Sequence, residues 1–121
     1  MTTITEHLRR HLLVSLGYAP PAKRMPDLET LRATQRCEEF HRLRESRLIL
    51  GAFRYGFLGD PNKPRYDNVP DMIRRLNAYH ETGNLEYLLD VANLCECEWA
   101  DGKHPKRHYR PSDDGQHTPE I

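Results

Sequence analysis

The chain has little from which to build a hydrophobic interior. Apolar residues fill 37% of its 121 positions and aromatics 8%, against 30% charged residues and nine prolines. Its mean hydropathy of −0.83 lies on the polar side of ordinary globular domains. No run approaches the ~18 apolar residues that a membrane span needs. The first stretch, MTTITEHLRRHLLVSLGYAPPAKR, interleaves charge with apolar positions where a secretory leader would be unbroken. Cysteine is scarce too: Cys37, Cys95 and Cys97 cannot all pair, and the last two stand too close for a relaxed bridge. These absences point to a soluble protein of a reducing cytoplasm that touches no membrane.

Net charge is also missing. Eighteen Lys and Arg balance eighteen Asp and Glu, so no global basic excess advertises nucleic acid, and attraction to phosphate must come from local clusters. Arginine outnumbers lysine, and arginine is the base that grips phosphate and carboxylate with two donors and stacks on rings. The sequence holds no G-x-S-x-G, no H-E-x-x-H and no glycine-rich phosphate loop. No catalytic residue, resident metal or cofactor is therefore assigned, and an enzyme is not the leading reading.

What is present is helical patterning. Leu8, Leu12, Leu13 and Leu16 recur at helical spacing between Thr5, read as an N-cap, and Gly17, read as the residue past the C-terminus. YAPPAKRMP then forms a linker. From Pro26 more than thirty proline-free residues predict one long helix, with a break near Gly51 or Gly56, whose middle (QRCEEFHRLRESR) is charged on nearly every face. GDPNKPRYDNVP is a long loop of the kind that often carries function. Val69, Met72, Ile73 and Leu76 mark a helix that begins near Pro70 and ends before Gly83. Asn84 caps a following helix with the stripe Leu85, Leu88, Leu89, Ala92, Cys95, Trp99. Two helices joined so tightly fold back as an antiparallel hairpin. After Gly102 the apolar period ends. The expectation is one all-α domain spanning 1–121: an N-terminal helix and linker over 1–25, a small helical bundle over 26–102 with a C-terminal antiparallel hairpin, and an irregular polar arm over 103–121. So polar a domain is expected to gain stability as a homo-oligomer.

Three groups of residues could carry chemistry. Cys95, Cys97, His104 and His108 number enough for zinc, but residues two apart on a helix point to nearly opposite sides, so both thiols meet one ion only if the helix stops before Cys95. HPKRHYR sets Lys106, Arg107 and Arg110 beside His104, His108 and Tyr109, a mixture suited to phosphate and a stacked base, while His104, His108, Asp113, Asp114 and His117 offer ligands for a divalent ion. The third group is Arg42, Arg44, Arg47, Arg54, Arg65, Arg74 and Arg75. With Tyr55 and Tyr66 these could form an anion pocket containing a ring, or a solvated, salt-bridged surface. Asp90, inside an apolar stripe, needs a partner, and Arg74 or Arg75 on the preceding helix is the nearest.

Glu38, Glu39, Glu86 and Asp90 resemble the acidic set with which all-α nucleoside triphosphate pyrophosphohydrolases hold magnesium. Here, however, the first two acids are adjacent and the second pair reads E-x-x-x-D. A wider likeness covers the C-terminal half. Thr82 to Asn84, Asp90, Ala92 and Asn93, then His104, Pro105, His108 and Tyr109, then Asp113 to Gly115 and His117 resemble the pattern of small uncharacterised helical proteins of actinobacterial phages and prophages. The resemblance implies a phage protein acting in the host cytoplasm, and by analogy an accessory factor that counters host defence. The expected site joins Arg47, Arg54, Arg65, Tyr66, Asn93, His104, Arg107, His108 and Tyr109 around a nucleotide or other phosphate-bearing small molecule, without catalysis. The alternatives are an inhibitor that binds a host protein and a magnesium-dependent nucleotide hydrolase.

Overall fold

The computed structural model describes residues 3–15, 26–112 and 115–121, and within the first helix not the side chains of His7, Arg10, Val14 and Ser15. These residues form five helices and no strand: α1 (Ile4–Ser15), α2 (Leu28–Thr34), α3 (Glu38–Tyr55), α4 (Asn68–Thr82) and α5 (Glu86–Asp101). No described helix is long and apolar enough to cross a membrane. The chain divides into two compact units, Met1–Glu39 and Phe40–Ile121.

In the first unit α1 starts two residues earlier than Thr5 would place it. Thr3 and Glu6 form a reciprocal box: the Glu6 N–H donates to Thr3 Oγ1 and the Thr3 N–H to Glu6 Oε2, each at 3.1 Å. The expected end at Gly17 lies outside the described residues. The long helix from Pro26 is interrupted at residues 35–37, well before Gly51. Asp27 caps α2, accepting from the Thr30 N–H at 2.7 Å, a bond that lowers the pKa of its carboxyl. At the other end the Thr34 hydroxyl donates to the Leu31 carbonyl, and Gln35 leaves helical geometry (φ −95°, ψ 37°). Glu38 and Glu39 then sit in the first turn of α3, where negative charge is favoured.

The second unit holds the hairpin. Gly83 adopts the left-handed conformation (φ 71°) and returns its N–H to Tyr79 O at 2.8 Å, closing α4. Asn84 Oδ1 accepts from the Glu86 N–H at 3.0 Å and opens α5. The helices fold back on each other, as the spacing predicts, with the Cys95 thiol 3.3 Å from Met72 Sδ.

What holds α3 to this hairpin is charge. Asp90 Oδ1 accepts from Arg47 Nε (3.0 Å) and Nη2 (2.8 Å), and Asp90 Oδ2 accepts from Arg75 Nη1 at 2.5 Å. Arg47 also pairs with Glu86 at 2.9 Å, and Arg75 with Asp71 at 3.1 Å. Arg74 bonds Asp71 instead. One turn along, Asn93 grips Arg44 twice: its Oδ1 accepts from the guanidinium (3.1 Å) and its Nδ2 donates to the Arg44 carbonyl (3.0 Å), while Glu96 takes the same guanidinium. Asn93 is the one buried residue among those described, and no described apolar side chain is buried. The layer between α3 and α5 is therefore a polar seam. Within the charged stretch QRCEEFHRLRESR, Arg44 and Arg47 find their carboxylates on α5.

Replacing Asp90 with Asn removes the carboxylate that Arg47 and Arg75 share and leaves each with one remaining counter-charge, Glu86 and Asp71. It is expected to cost about 2–4 kcal/mol, below the top of the range for buried pairs because Arg47 is 39% exposed. Asn84→Ala, which removes a single cap, is expected to cost about 1 kcal/mol. Urea denaturation of both variants checks the two figures and their order.

Candidate functional site

The loop between α3 and α4 is fixed from the far end of α5. Gly56 (φ 90°) and Gly59 (φ 80°) turn the chain through conformations that side-chain-bearing residues rarely take. Asp101 then secures the loop, with Oδ1 accepting from the Gly59 N–H at 2.8 Å and Oδ2 from Lys63 Nζ at 3.0 Å. Asn68 Nδ2 adds a bond to Glu98 Oε2 at 3.1 Å. Between this loop, α3 and α5 lies a cavity of about 1020 Å³, bordered also by Lys103 and His104. Its volume matches the upper end of small-molecule sites.

Its charge is balanced. Arg47, Arg54, Lys63, Arg65, Arg75 and Lys103 face Asp60, Asp67, Asp71, Asp90, Glu98 and Asp101. Three of the bases are committed: Arg47 and Arg75 to Asp90, and Lys63 to Asp101. Arg54 and Arg65 have no ion-pair partner among the described residues. Next to them Tyr55 and Tyr66 meet edge to face, ring centres 5.3 Å apart at 81°, each more than two-fifths exposed.

The nine residues expected to form one site fall into two places. Arg47, Arg54, Arg65, Tyr66, Asn93 and His104 line the cavity, although Arg47 and Asn93 are taken up by Asp90 and Arg44. Arg107, His108 and Tyr109 lie at the end of α5. Arg107 donates to the carbonyls of Glu98 (2.9 Å), Gly102 (3.1 Å) and Trp99, placing its charge at the C-terminal end of α5, where a cation is favoured. Tyr109 packs edge-on against Trp99 at 5.8 Å. His108 Nδ1 donates to the Lys106 carbonyl at 2.7 Å, and His104 Nδ1 accepts from the Lys106 N–H at 2.9 Å. The start of the arm thus folds back onto α5, and His104 is its contribution to the cavity wall.

Two of the three metal arrangements raised by the sequence, the Cys–His set and the acidic set, meet a different geometry. Helix α5 runs on through Cys95 and Cys97 to Asp101, so the thiols diverge by about 200°. Cys95 turns to α4 while Cys97 borders the cavity, where burial pushes its thiol up. Asp90 has both oxygens bound by guanidiniums, Glu86 is paired with Arg47, and Glu38 is paired with Arg36 at 2.5 Å. Among the described residues no group of three or more His, Cys, Asp and Glu is placed to hold a metal. Asp113 and Asp114 lie outside the described residues. Sequence reasoning missed Asp101 and Lys63, the anchor of the loop, because Asp101-Gly102 reads only as a helix end. Comparison with protein-family models, with curated proteins and with solved structures finds no match.

Two carboxylates that border the cavity, Asp71 and Asp101, are held below the usual range. Burial pushes Asp71 up, but hydrogen bonds and positive charge from Arg74 and Arg75 more than offset it. In Asp101 the bond from Lys63 and then the Gly59 N–H lower the pKa. A carboxylate lowered on folding adds stability that is complete above about pH 4, its ordinary value, and is lost as pH falls through the lowered one. The urea midpoint should therefore decline on acidification below about pH 4, and the gap between wild type and Asp101→Asn should narrow over the same interval. Midpoints measured across a pH series provide the check.

Proposed function

We propose that this protein is a non-catalytic binding module that takes an anionic, ring-bearing small molecule of the nucleotide class into the cavity beside α3. The observation that carries this is selective. In a unit where Arg44, Arg47, Arg75 and Lys63 are each matched to a carboxylate, Arg54 and Arg65, like Lys103, border the cavity with no ion-pair partner among the described residues, the two arginines next to the exposed ring of Tyr66. Two guanidiniums are suited to a phosphate, and the tyrosine face to a base. His104 supplies a further donor from the arm, its Nε2 left free to carry the proton because Nδ1 accepts from Lys106. The balanced charge of the wall favours a ligand with one or two phosphates over a long polyanion.

The setting we assign is that of the resemblance: a phage-encoded accessory protein of the host cytoplasm, sequestering a nucleotide-derived defence signal. A second reading, an inhibitor docked on a host protein, draws on the large apolar side chains that α3 and α4 leave in water, among them Phe53 at 87% exposure. The hydrolase reading is not pursued further, since three of its four carboxylates, Glu38, Glu86 and Asp90, are occupied by arginine.

A thermal-shift screen over mono-, di- and cyclic nucleotides is expected to raise the melting temperature for at least one phosphate-bearing member and to leave the nucleosides without effect. Arg54→Ala and Arg65→Ala should each weaken binding at least tenfold, about 1.4 kcal/mol, with the unliganded melting temperature nearly unchanged because neither side chain holds the fold. A flat response across the panel, or full affinity in both variants, rejects the reading.

A further inference from the structure

The second unit buries no apolar side chain among its described residues. Apolar burial is the main favourable term in folding, and the bonds of the polar seam exchange largely for bonds to water. Something beyond the described residues of this unit must supply what is missing. Two stripes show where. On α4, Met72 and Arg75 face α5, through Cys95 and Asp90. Val69, Ile73 and Leu76 lie about 100° around the helix and are 45%, 56% and 47% exposed. On α3, Ile49, Leu50 and Phe53 are 56%, 59% and 87% exposed.

We propose that a second copy of this chain covers both stripes, with the α4 face packed on its own counterpart across a two-fold axis. Three observations select a copy over an unrelated partner. The need is permanent, because the unit lacks an interior without its cover, and a second copy is the one partner present wherever the chain is made. The exposed α4 face carries no Asp, Glu, Lys or Arg: Val69, Ile73 and Leu76 lie along it with His80 between them, so pairing with itself sets no carboxylate or guanidinium against its like. The area also suits a stable dimer. The six exposed side chains leave on the order of 600 Å² of apolar surface in water, and a standard interface of ~800 Å² per partner is about three-fifths apolar.

The experiment measures mass in solution and the concentration dependence of unfolding, on wild type, Ile73→Glu and Phe53→Glu. Wild type is expected at twice the 14.2 kDa of one chain, with a melting temperature that rises with protein concentration. Both residues are exposed in the single chain, so a charge there is harmless to a monomer. Each variant should instead revert to one-chain mass or unfold at temperatures where wild type is intact, and either result supports the interface. A wild type of one-chain mass whose melting temperature ignores dilution overturns the proposal. So does a variant that matches wild type in mass and melting temperature. Recovery of a host protein bound to a monomeric chain would give these stripes to the other kind of partner.

Discussion

Both oxygens of Asp90 are held by guanidiniums from two different helices, Arg47 on α3 and Arg75 on α4, and the arrangement of the second unit depends on that junction. Desolvating a carboxylate costs several kcal/mol unless it is paired and hydrogen-bonded, and here both oxygens have donors, two on Oδ1 and one on Oδ2. The price of this solution is committed arginine. Arg44, Arg47, Arg74 and Arg75, which in sequence look like an anion cluster, are spent on Asp71, Asp90, Asn93 and Glu96. Of the cluster's arginines that border the cavity, Arg54 and Arg65, toward the end of α3 and in the following loop, have no ion-pair partner among the described residues, and they give the cavity its chemical character. Structure and site thus draw on a single supply of one residue type.

The hairpin was legible because its signals are local: Gly83 for the left-handed turn, Asn84 for the cap, and an apolar period on either side. So was the partner of Asp90, since a carboxylate in an apolar stripe needs a base and the neighbouring helix offers two. The break before α3 was not legible. Gln35, Arg36 and Cys37 contain neither Pro nor Gly, and the interruption comes from Asp27 and Thr34 bonding to the backbone and from two acids that favour a new first turn. Thr5 reads as a cap from residue type alone, but the T-x-x-E spacing of Thr3 and Glu6 carries the reciprocal bonds that start α1.

The site was read half correctly for a similar reason. Residue type indicates what a side chain can bind, whereas folding decides what it has already bound. Asn93 and Arg107 are polar groups suited to a ligand, yet one clamps Arg44 and the other closes the C-terminus of α5. The motif positions Thr82 to Asn84, Asp90 and Asn93 carry architecture in this chain: a turn, a cap, an ionic junction and a clamp. The loop was singled out for its length, but its order rests on Asp101, forty residues downstream of Gly59, and no local pattern announces so distant a bond.

One aromatic contact gives the protein an optical property. Trp99 is the chain's single tryptophan, 69% exposed, and it rests edge-on against Tyr109 of the folded-back arm. Excited at the red edge of its absorption, where tyrosine no longer absorbs, this molecule therefore emits from one point, where the last turn of α5 meets the arm. Lifting the arm away would strip the indole of its neighbouring ring and deepen its contact with water, shifting its colour and its susceptibility to dissolved quenchers. The departure of residues 103–109 from α5 can accordingly be followed in solution without attaching a dye.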